Sequence, residues 1–186
     1  MNHPDIDIDF ADRNEILKHI DYVRVQMDNG KPHPSGIYVV DAPKEPFSDM
    51  ASLNLTLMNE LGYDKIDILN QSVYGLVKSP DHLEELLQQG IPWHRLQDRK
   101  VVEALVHIGS YYDVIQRMEP IDSIEKMAMF LSILRPGKKH LMGLTWKEIR
   151  DRVWIDESEY TGYRYKHSHA IAYAHLVCLH LRLVSE

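Results

Sequence analysis

The sequence contains a single cysteine, Cys178, in 186 residues. One cysteine excludes an internal disulfide framework and fits a reducing compartment. The chain also lacks an apolar run of the roughly 20 residues that a membrane-spanning helix needs. Its first residues, MNHPDIDIDF, are acidic and lack the basic and then apolar layout of a signal peptide. We therefore expect a cytoplasmic protein that does not associate with a membrane.

Positive charge is scarce as well: 21 Lys and Arg stand against 28 Asp and Glu, for a net charge of −7. This balance argues against a protein that mainly coats nucleic acid, because phosphate binding relies on Lys and Arg. It does not exclude a nucleic-acid enzyme, since a local basic patch can lie on an acidic body. Apolar residues make up 44% of the chain, which is enough for a folded core.

The distribution of patterns predicts two lobes, an α/β lobe over residues 1–78 and a helical lobe over 79–186. Alternation or β-branching predicts strands at 4–10, 37–40 and 64–69, with Ile6, Ile8, Ile66 and Ile68 packed on helices. Apolar periodicity and capping residues predict helices at 11–27, 80–89, 98–107, 121–133 and 168–183, and TWKEIRDRVW adds one with a Thr cap. The stretch from 50 to 62 is compatible with a helix or with an extended segment.

Three aspartates alternate with apolar residues in PDIDIDF. On a strand, Asp5 and Asp7 point to the same face, and Asp67 of the acidic YDKIDIL segment is positioned to join them from a neighbouring strand. Hard cations such as Mg²⁺ take oxygen ligands, and two such ions can clamp a phosphoryl transfer. The competing interpretation is an edge strand whose charges solvate one face and block aggregation.

Five segments, in this order, resemble parts of the bacterial replicative DNA polymerase III alpha subunit, the family C polymerases. They are PDIDIDFADRNEIL, KPHPSGIYVV, LGYDKIDIL, DVIQRMEP followed by LSILRPG, and YKHSHAIAYAH. The resemblance implies an α+β fold: a small mixed-sheet palm of the polymerase-beta-like nucleotidyltransferase type, with a mainly helical, fingers-like second lobe. The last helix would return to the palm.

The same resemblance implies template-directed nucleotidyl transfer with two Mg²⁺ or Mn²⁺ ions. Its substrates would be deoxynucleoside triphosphates and primer-template DNA. The positions that match catalytic and metal-binding aspartates are Asp5, Asp7 and Asp67, and Asp9 matches an acidic position of lower rank. The positions that match nucleotide- or phosphate-binding groups are Lys65, Arg135, Lys166, His169, Tyr173, His33 and Gly36. In a working site, the cations among them would converge on one cleft that faces the aspartates.

The chain also departs from the family. The segment that holds the family's thumb shrinks to a predicted helix and turn, and IGSYYDVI stands where the family has Glu-Ser-Arg-Gly-Met. A polymerase this small would need separate replication proteins for thumb, clamp or template binding, as in a compact phage or mobile-element genome. Two alternatives therefore stay open. One is a non-catalytic replisome component or polymerase mimic that binds replication proteins, and the other is a nucleotidyltransferase acting on a small molecule.

Overall fold

A computed structural model describes residues 6–155 and 166–186. The chain divides into two compact units, Met1–Leu76 and Val77–Glu186. The first unit contains a five-stranded mixed sheet with two short helices, and the second is helical. The α+β class predicted from the sequence is confirmed. Within the described ranges, no helix has the length and apolar character needed to cross a membrane.

The sheet of the first unit has the strand order β1-β5-β3-β2-β4. Its strands are β1 (Ile6–Phe10), β2 (Val23–Gln26), β3 (Pro32–Tyr38), β4 (Met50–Asn54) and β5 (Ile66–Asn70). The β1–β5 and β2–β4 pairs are parallel, whereas β3 is antiparallel to both β2 and β5. The predicted strand at 37–40 thus begins earlier and ends at Tyr38. The ambiguous 50–62 stretch holds a strand followed by a helix.

The helix predicted over residues 11–27 is wrong beyond its first turns. Helix α1 covers only Arg13–Leu17, and Asp12 caps it by accepting the backbone N–H of Asn14 at 2.9 Å. The chain then enters β2, where Val23 and Val25 are buried. The sequence Val-Arg-Val-Gln has the period of two that suits a strand. The apolar spacing of Ile16, Ile20 and Val23 predicted a helix here, but the hydrogen bonds of β2 to β3 and β4 on either side make this segment a strand.

The opening acidic strand lies at an edge of the sheet rather than in its interior. Among the described residues, β1 pairs with β5 alone. Ile6 is 36% exposed and Ile8 is 40% exposed, so the prediction that both pack on helices is wrong. In β5, which has a strand on each side, Ile68 is buried and Ile66 is partly exposed. Burial therefore follows position in the sheet, although both strands show the same alternation.

The core of the first unit lies between β2, β3, β4 and helix α2 (Leu55–Glu60). Its buried members are Val23, Val25, Tyr38, Ala42, Ala51 and Met58. The ring of Tyr38 meets that of Tyr63 edge-on at 6.0 Å, and burial raises the pKa of Tyr38 to about 12. Asn54 ends β4 and starts α2 by accepting the backbone N–H of Leu57 at 3.0 Å.

The second unit contains helices α3 (Pro80–Gln88), α4 (Arg99–Ala104), α5 (Tyr112–Ile115), α6 (Ile124–Ile133), α7 (Trp146–Val153) and α8 (His167–Leu183). The described part of this unit also holds three short 3₁₀ segments, Trp93–Gln97, Gly109–Tyr111 and Pro136–Leu141, and a fourth, Ser72–Leu76, ends the first unit. The helices predicted at 80–89, 121–133 and 168–183 are confirmed. The one predicted at 98–107 ends at Ala104, where Leu105 turns extended and is buried.

Side-chain caps set the starts of four of these helices, and at α4 Asp98 accepts the backbone N–H of Lys100 at 3.0 Å. Ser79 and Ser123 accept the backbone N–H groups of His82 and Lys126, respectively. Thr145 forms a full capping box with Glu148. Such caps satisfy backbone donors that have no partner inside the helix.

The core of the second unit is built on α6 and α8. Every residue from Met127 to Ile133 is buried. Helix α8 contributes Ala170, Ala174, Val177 and Leu181, whose spacing of three or four residues places them on one side. Cys178 is also buried, and burial raises the pKa of its thiol to about 12. The thiol is therefore protonated at neutral pH and acts as a small apolar group.

Candidate active site

The parallel pairing of β1 with β5 sets Asp7 directly beside Asp67. Paired residues of neighbouring strands lie about 4.8 Å apart and point to the same face of the sheet. Two of the three aspartates predicted to bind metal are thus adjacent, although they are 60 positions apart in the chain. The third, Asp5, lies outside the described residues.

Asp67 is held by protein groups on both oxygens of its carboxylate. The Ser35 hydroxyl donates to Oδ1 at 2.7 Å, and the Lys65 ammonium donates to Oδ2. The side chains of Asp67 and Lys65 are only 10% and 19% exposed, respectively. A carboxylate this buried requires such partners, because desolvation without them would be costly. Lys65, which the resemblance predicts to bind phosphate, donates to the neighbouring aspartate here, and its phosphate role stays a prediction.

His33 organises the turn that carries Ser35. Its Nδ1 accepts the backbone N–H of Gly36 at 2.8 Å, so this nitrogen carries no proton. It lies 3.4 Å from Oδ1 of Asp67 but has no hydrogen to donate. Burial lowers the pKa of His33, and the charges of Lys65 and Arg13 lower it further. His33 is therefore neutral at pH 7, and its role visible here is to shape the turn.

Gly36 is required by the close approach of two side chains. A Cβ atom at this position would lie 2.9 Å from His33 Nδ1 and 2.9 Å from Lys65 Cδ. Gly36 is paired with Asp67 across the β3–β5 ladder. The absence of a side chain thus lets the Lys65 stem pass over the backbone and reach the carboxylate.

Asp9 extends the acidic face beyond Asp7. Desolvation raises the pKa of Asp9, and the charge of Asp7 raises it further, while a hydrogen bond from Gln71 lowers it. Burial and the charge of Asp9 also raise the pKa of Tyr74. Asp9 matches an acidic position of lower rank, and Gln71 and Tyr74 were not among the predicted site residues because neither belongs to the acidic motif. Gln71 directly follows β5, and its neighbours Asn70 and Ser72 carry no signal that would have singled it out.

Arg13, the first residue of α1, forms hydrogen bonds to β3 and β5 beside the acidic face. Its guanidinium donates to the backbone oxygen of Pro34, and its backbone N–H donates to Asn70 Oδ1 at 3.0 Å. These bonds connect α1 to β3 and to the end of β5. Arg13 was not among the predicted site residues, although it begins the helix that follows the acidic strand.

The remaining predicted residues lie in the second unit. Lys166 precedes α8, and His169 and Tyr173 stand one turn apart on it with ring centroids 6.4 Å apart. Arg135 lies between α6 and the next 3₁₀ segment and is close enough to His107 for its charge to lower the pKa of that residue. His107 in turn meets Tyr173 edge-on at 4.7 Å. The convergence of these groups with the aspartates stays a prediction.

The donor set of the acidic face suits a hard divalent cation. Asp7 and Asp67 supply carboxylate oxygens on rigid, adjacent strands, which is the ligand type that Mg²⁺ and Mn²⁺ prefer. Within 6–155 and 166–186, no group of three or more His, Cys, Asp or Glu side chains is arranged to hold a metal. A metal here would have to replace the Lys65 ammonium on Asp67.

No protein-family model matches the chain, and neither a curated protein nor a solved structure matches it. The fold and the candidate site therefore define this chain only as an α+β protein with adjacent carboxylates on a mixed sheet.

Proposed function

We propose that the chain catalyses template-directed nucleotidyl transfer in the manner of the family C polymerases, with a nucleotidyltransferase-type palm in the first unit. The observation that carries this proposal is the register that sets Asp7 beside Asp67. Two-metal phosphoryl transfer needs closely spaced carboxylates on rigid elements, and adjacent strands supply them. The resemblance of the five sequence segments supplies the reaction and its substrates.

In this proposal Asp5, Asp7 and Asp67 hold two Mg²⁺ or Mn²⁺ ions. When bound, such ions lower the pKa of a hydroxyl and neutralise developing negative charge. The primer 3′-oxygen forms a bond to the α-phosphorus of the incoming nucleotide, the bond to the β-phosphate oxygen breaks, and pyrophosphate leaves. The proton of the primer 3′-hydroxyl passes to solvent.

In the proposed reaction the Lys65 ammonium has two partners, one before and one after metal binding. It neutralises Asp67 in the metal-free protein and turns to the triphosphate when cations take its place. The other phosphate-binding groups would be Arg135, Lys166 and His169, with Tyr173 beside the nucleotide and His33 and Gly36 shaping the turn. Separate replication proteins would supply the thumb, the clamp or the template grip.

Primer extension by purified protein, alone and with replication proteins of its host, tests the proposal. Asp7→Asn should abolish incorporation, since one of the carboxylates that would hold the ions is lost. Asp21→Asn makes the same change at an exposed aspartate of the same unit and should leave incorporation unchanged. Incorporation that survives Asp7→Asn would contradict the proposed catalytic role.

The second candidate is a non-catalytic replisome component or polymerase mimic. Ser35 and Lys65 donate to the two carboxylate oxygens of Asp67, and this favours the second candidate. A protein that never binds a metal could keep both of these hydrogen bonds permanently. Under this alternative the protein binds a replication protein equally well with Asp7→Asn, and no template, metal or partner elicits incorporation. Pull-down and primer extension on the same preparations separate the two candidates.

A further inference from the structure

Ser35 was not among the predicted site residues, yet its side chain contacts the acidic face directly. It lies on β3, beside the Gly36 that pairs with Asp67 across the β3–β5 ladder. Its hydroxyl donates to Asp67 Oδ1 at 2.7 Å, a length typical of a charge-assisted hydrogen bond. The Asp67 side chain is only 10% exposed, so water competes little for this hydrogen bond.

His33 fixes the backbone that carries the Ser35 hydroxyl. Its Nδ1 accepts the backbone N–H groups of Ser35 at 3.3 Å and of Gly36 at 2.8 Å. The same nitrogen lies 3.5 Å from the Ser35 hydroxyl oxygen, but a hydroxyl has a single hydrogen, which goes to the nearer, charged carboxylate. The turn therefore sets the position of Ser35, and Ser35 sets the position of Asp67 Oδ1.

The two carboxylate oxygens of Asp67 have partners of different mobility. The hydroxyl on Oδ1 is carried by a short side chain on a backbone that His33 fixes. The ammonium on Oδ2 belongs to Lys65 and lies at the end of a flexible four-carbon stem. Exchange of the partner is therefore easier at Oδ2 than at Oδ1. A cation that binds Asp67 would displace the ammonium from Oδ2 and leave the hydroxyl on Oδ1.

The coordination chemistry of divalent cations gives this difference between the two oxygens a consequence. Mg²⁺ requires near-ideal octahedral geometry, whereas the larger Ca²⁺ accepts carboxylates that bind through one oxygen or through both. We infer that Ser35 is a positioning residue that holds Asp67 Oδ1 and presents Oδ2 alone to the cation, and that it thereby favours Mg²⁺ over Ca²⁺. This inference rests on the proposed function for the binding of a cation to Asp67.

Binding of Mn²⁺ to the full chain without nucleotide tests this role, with free Mn²⁺ measured by electron paramagnetic resonance. Loss of a hydrogen bond to a metal ligand lowers metal affinity about 10–100-fold, so Ser35→Ala should raise the Kd for Mn²⁺ about tenfold or more. Ser35→Thr keeps the hydroxyl and should bind like the wild type, and Ser35→Cys, a weaker donor, should fall between. Melting curves in EDTA establish that each variant is folded, and the cysteine variant replaces the alanine variant if the latter is not.

Ser48→Ala is the matched control. The Ser48 hydroxyl also donates to a carboxylate, to Glu45 Oε2 at 3.0 Å, but Ser48 is exposed on the loop before β4. Strands β3 and β2 separate β4 from β5, which carries Asp67. The change thus removes the same kind of hydrogen bond from another part of the same unit. The Kd of this variant for Mn²⁺ should equal that of the wild type.

Cation selectivity separates a positioning role from a merely structural one. Competition of Mg²⁺ and of Ca²⁺ with bound Mn²⁺ gives the Kd of each ion. Without the Ser35 hydroxyl the carboxylate can turn and offer both oxygens to Ca²⁺, so the ratio of the Kd for Ca²⁺ to the Kd for Mg²⁺ should fall in Ser35→Ala. A general loosening of the site would raise both Kd values together. An unchanged ratio would overturn the inference, as would a wild type that fails to bind Mn²⁺ or an alanine variant that binds it equally well.

The outcomes also separate this inference from the proposed function. Mn²⁺ binding and selectivity that depend on Ser35, without any nucleotide incorporation, would retain the positioning role and reject the polymerase. Incorporation that Asp7→Asn abolishes, together with equal Mn²⁺ affinity in Ser35→Ala and the wild type, would retain the polymerase and reject the positioning role.

Discussion

Lys65→Met tests how Asp67 is stabilised. The substitution keeps most of the apolar stem of the side chain and removes the ammonium, which leaves the Asp67 carboxylate with the Ser35 hydroxyl as the partner identified on its other oxygen. Breaking a buried ion pair costs about 3–5 kcal/mol. Because the Lys65 side chain is 19% exposed, water can replace part of the lost interaction. We therefore expect a loss of about 2–3 kcal/mol, at or below the lower limit of that range.

Urea denaturation in EDTA provides the free energy of unfolding. For a chain of this size the expected loss corresponds to a drop in melting temperature of about 4–12 °C. Lys18→Met is the matched control, since it breaks an ion pair with Glu15 whose side chains are 61% and 64% exposed. Exposed pairs contribute about 0–1 kcal/mol, so this variant should remain close to the wild type.

A divalent cation should reverse the effect of Lys65→Met if Asp67 is a metal ligand. Binding to the folded state alone adds about 2.7 kcal/mol at a metal concentration of 100 times Kd. Without the competing ammonium, Mn²⁺ should stabilise Lys65→Met more than it stabilises the wild type. Two results would refute this reasoning: a Lys65→Met variant as stable as Lys18→Met, or one that Mn²⁺ stabilises no more than the wild type.

Three further predictions concern the acidic face, the turn of β3 and a helix cap. Folding raises the pKa of Asp9 from 3.8, so the contribution of Asp9 to stability falls as pH rises from about 4 through the raised pKa. The charge of Asp7 is one cause of this shift, so Asp7→Asn should lose less stability than the wild type between pH 4 and pH 7 in metal-free urea titrations. An equal loss in both proteins would contradict this prediction. Gly36→Ala should cost about 1–3 kcal/mol of unfolding free energy because Lys65 or His33 must shift, whereas Gly75→Ala, where the nearest atom is 3.9 Å away, should cost much less by the same assay. Thr145→Ala removes the capping box and should cost about 1 kcal/mol in urea denaturation, while Thr145→Ser should be nearly neutral; equal stabilities of the two variants would argue against the cap.

Local signals in the sequence determined the elements that depend on a few neighbouring residues. Ser79 before Pro80, and Thr145 as a Thr cap, predict helix starts that the structure confirms, and Glu148 completes a capping box with Thr145. A cap is a hydrogen bond between near neighbours, so the residues that form it are contiguous in the sequence. The alternating acidic segments likewise predict strands, and β1 and β5 occupy the described part of them.

Tertiary structure decided what depends on partners far away in the chain. Val23 to Gln26 is a strand because β3 and β4 flank it, and Ile8 is exposed because β1 is an edge strand, although local spacing suggested a helix and a buried face. The neighbours of Asp67 come from residues 33–36 and 65, and the backbone N–H of Val106 finds its acceptor on His180 of α8, 74 positions away. Hydrogen bonds and charges act over a few ångströms in space, and only the folded chain determines which distant residues come that close.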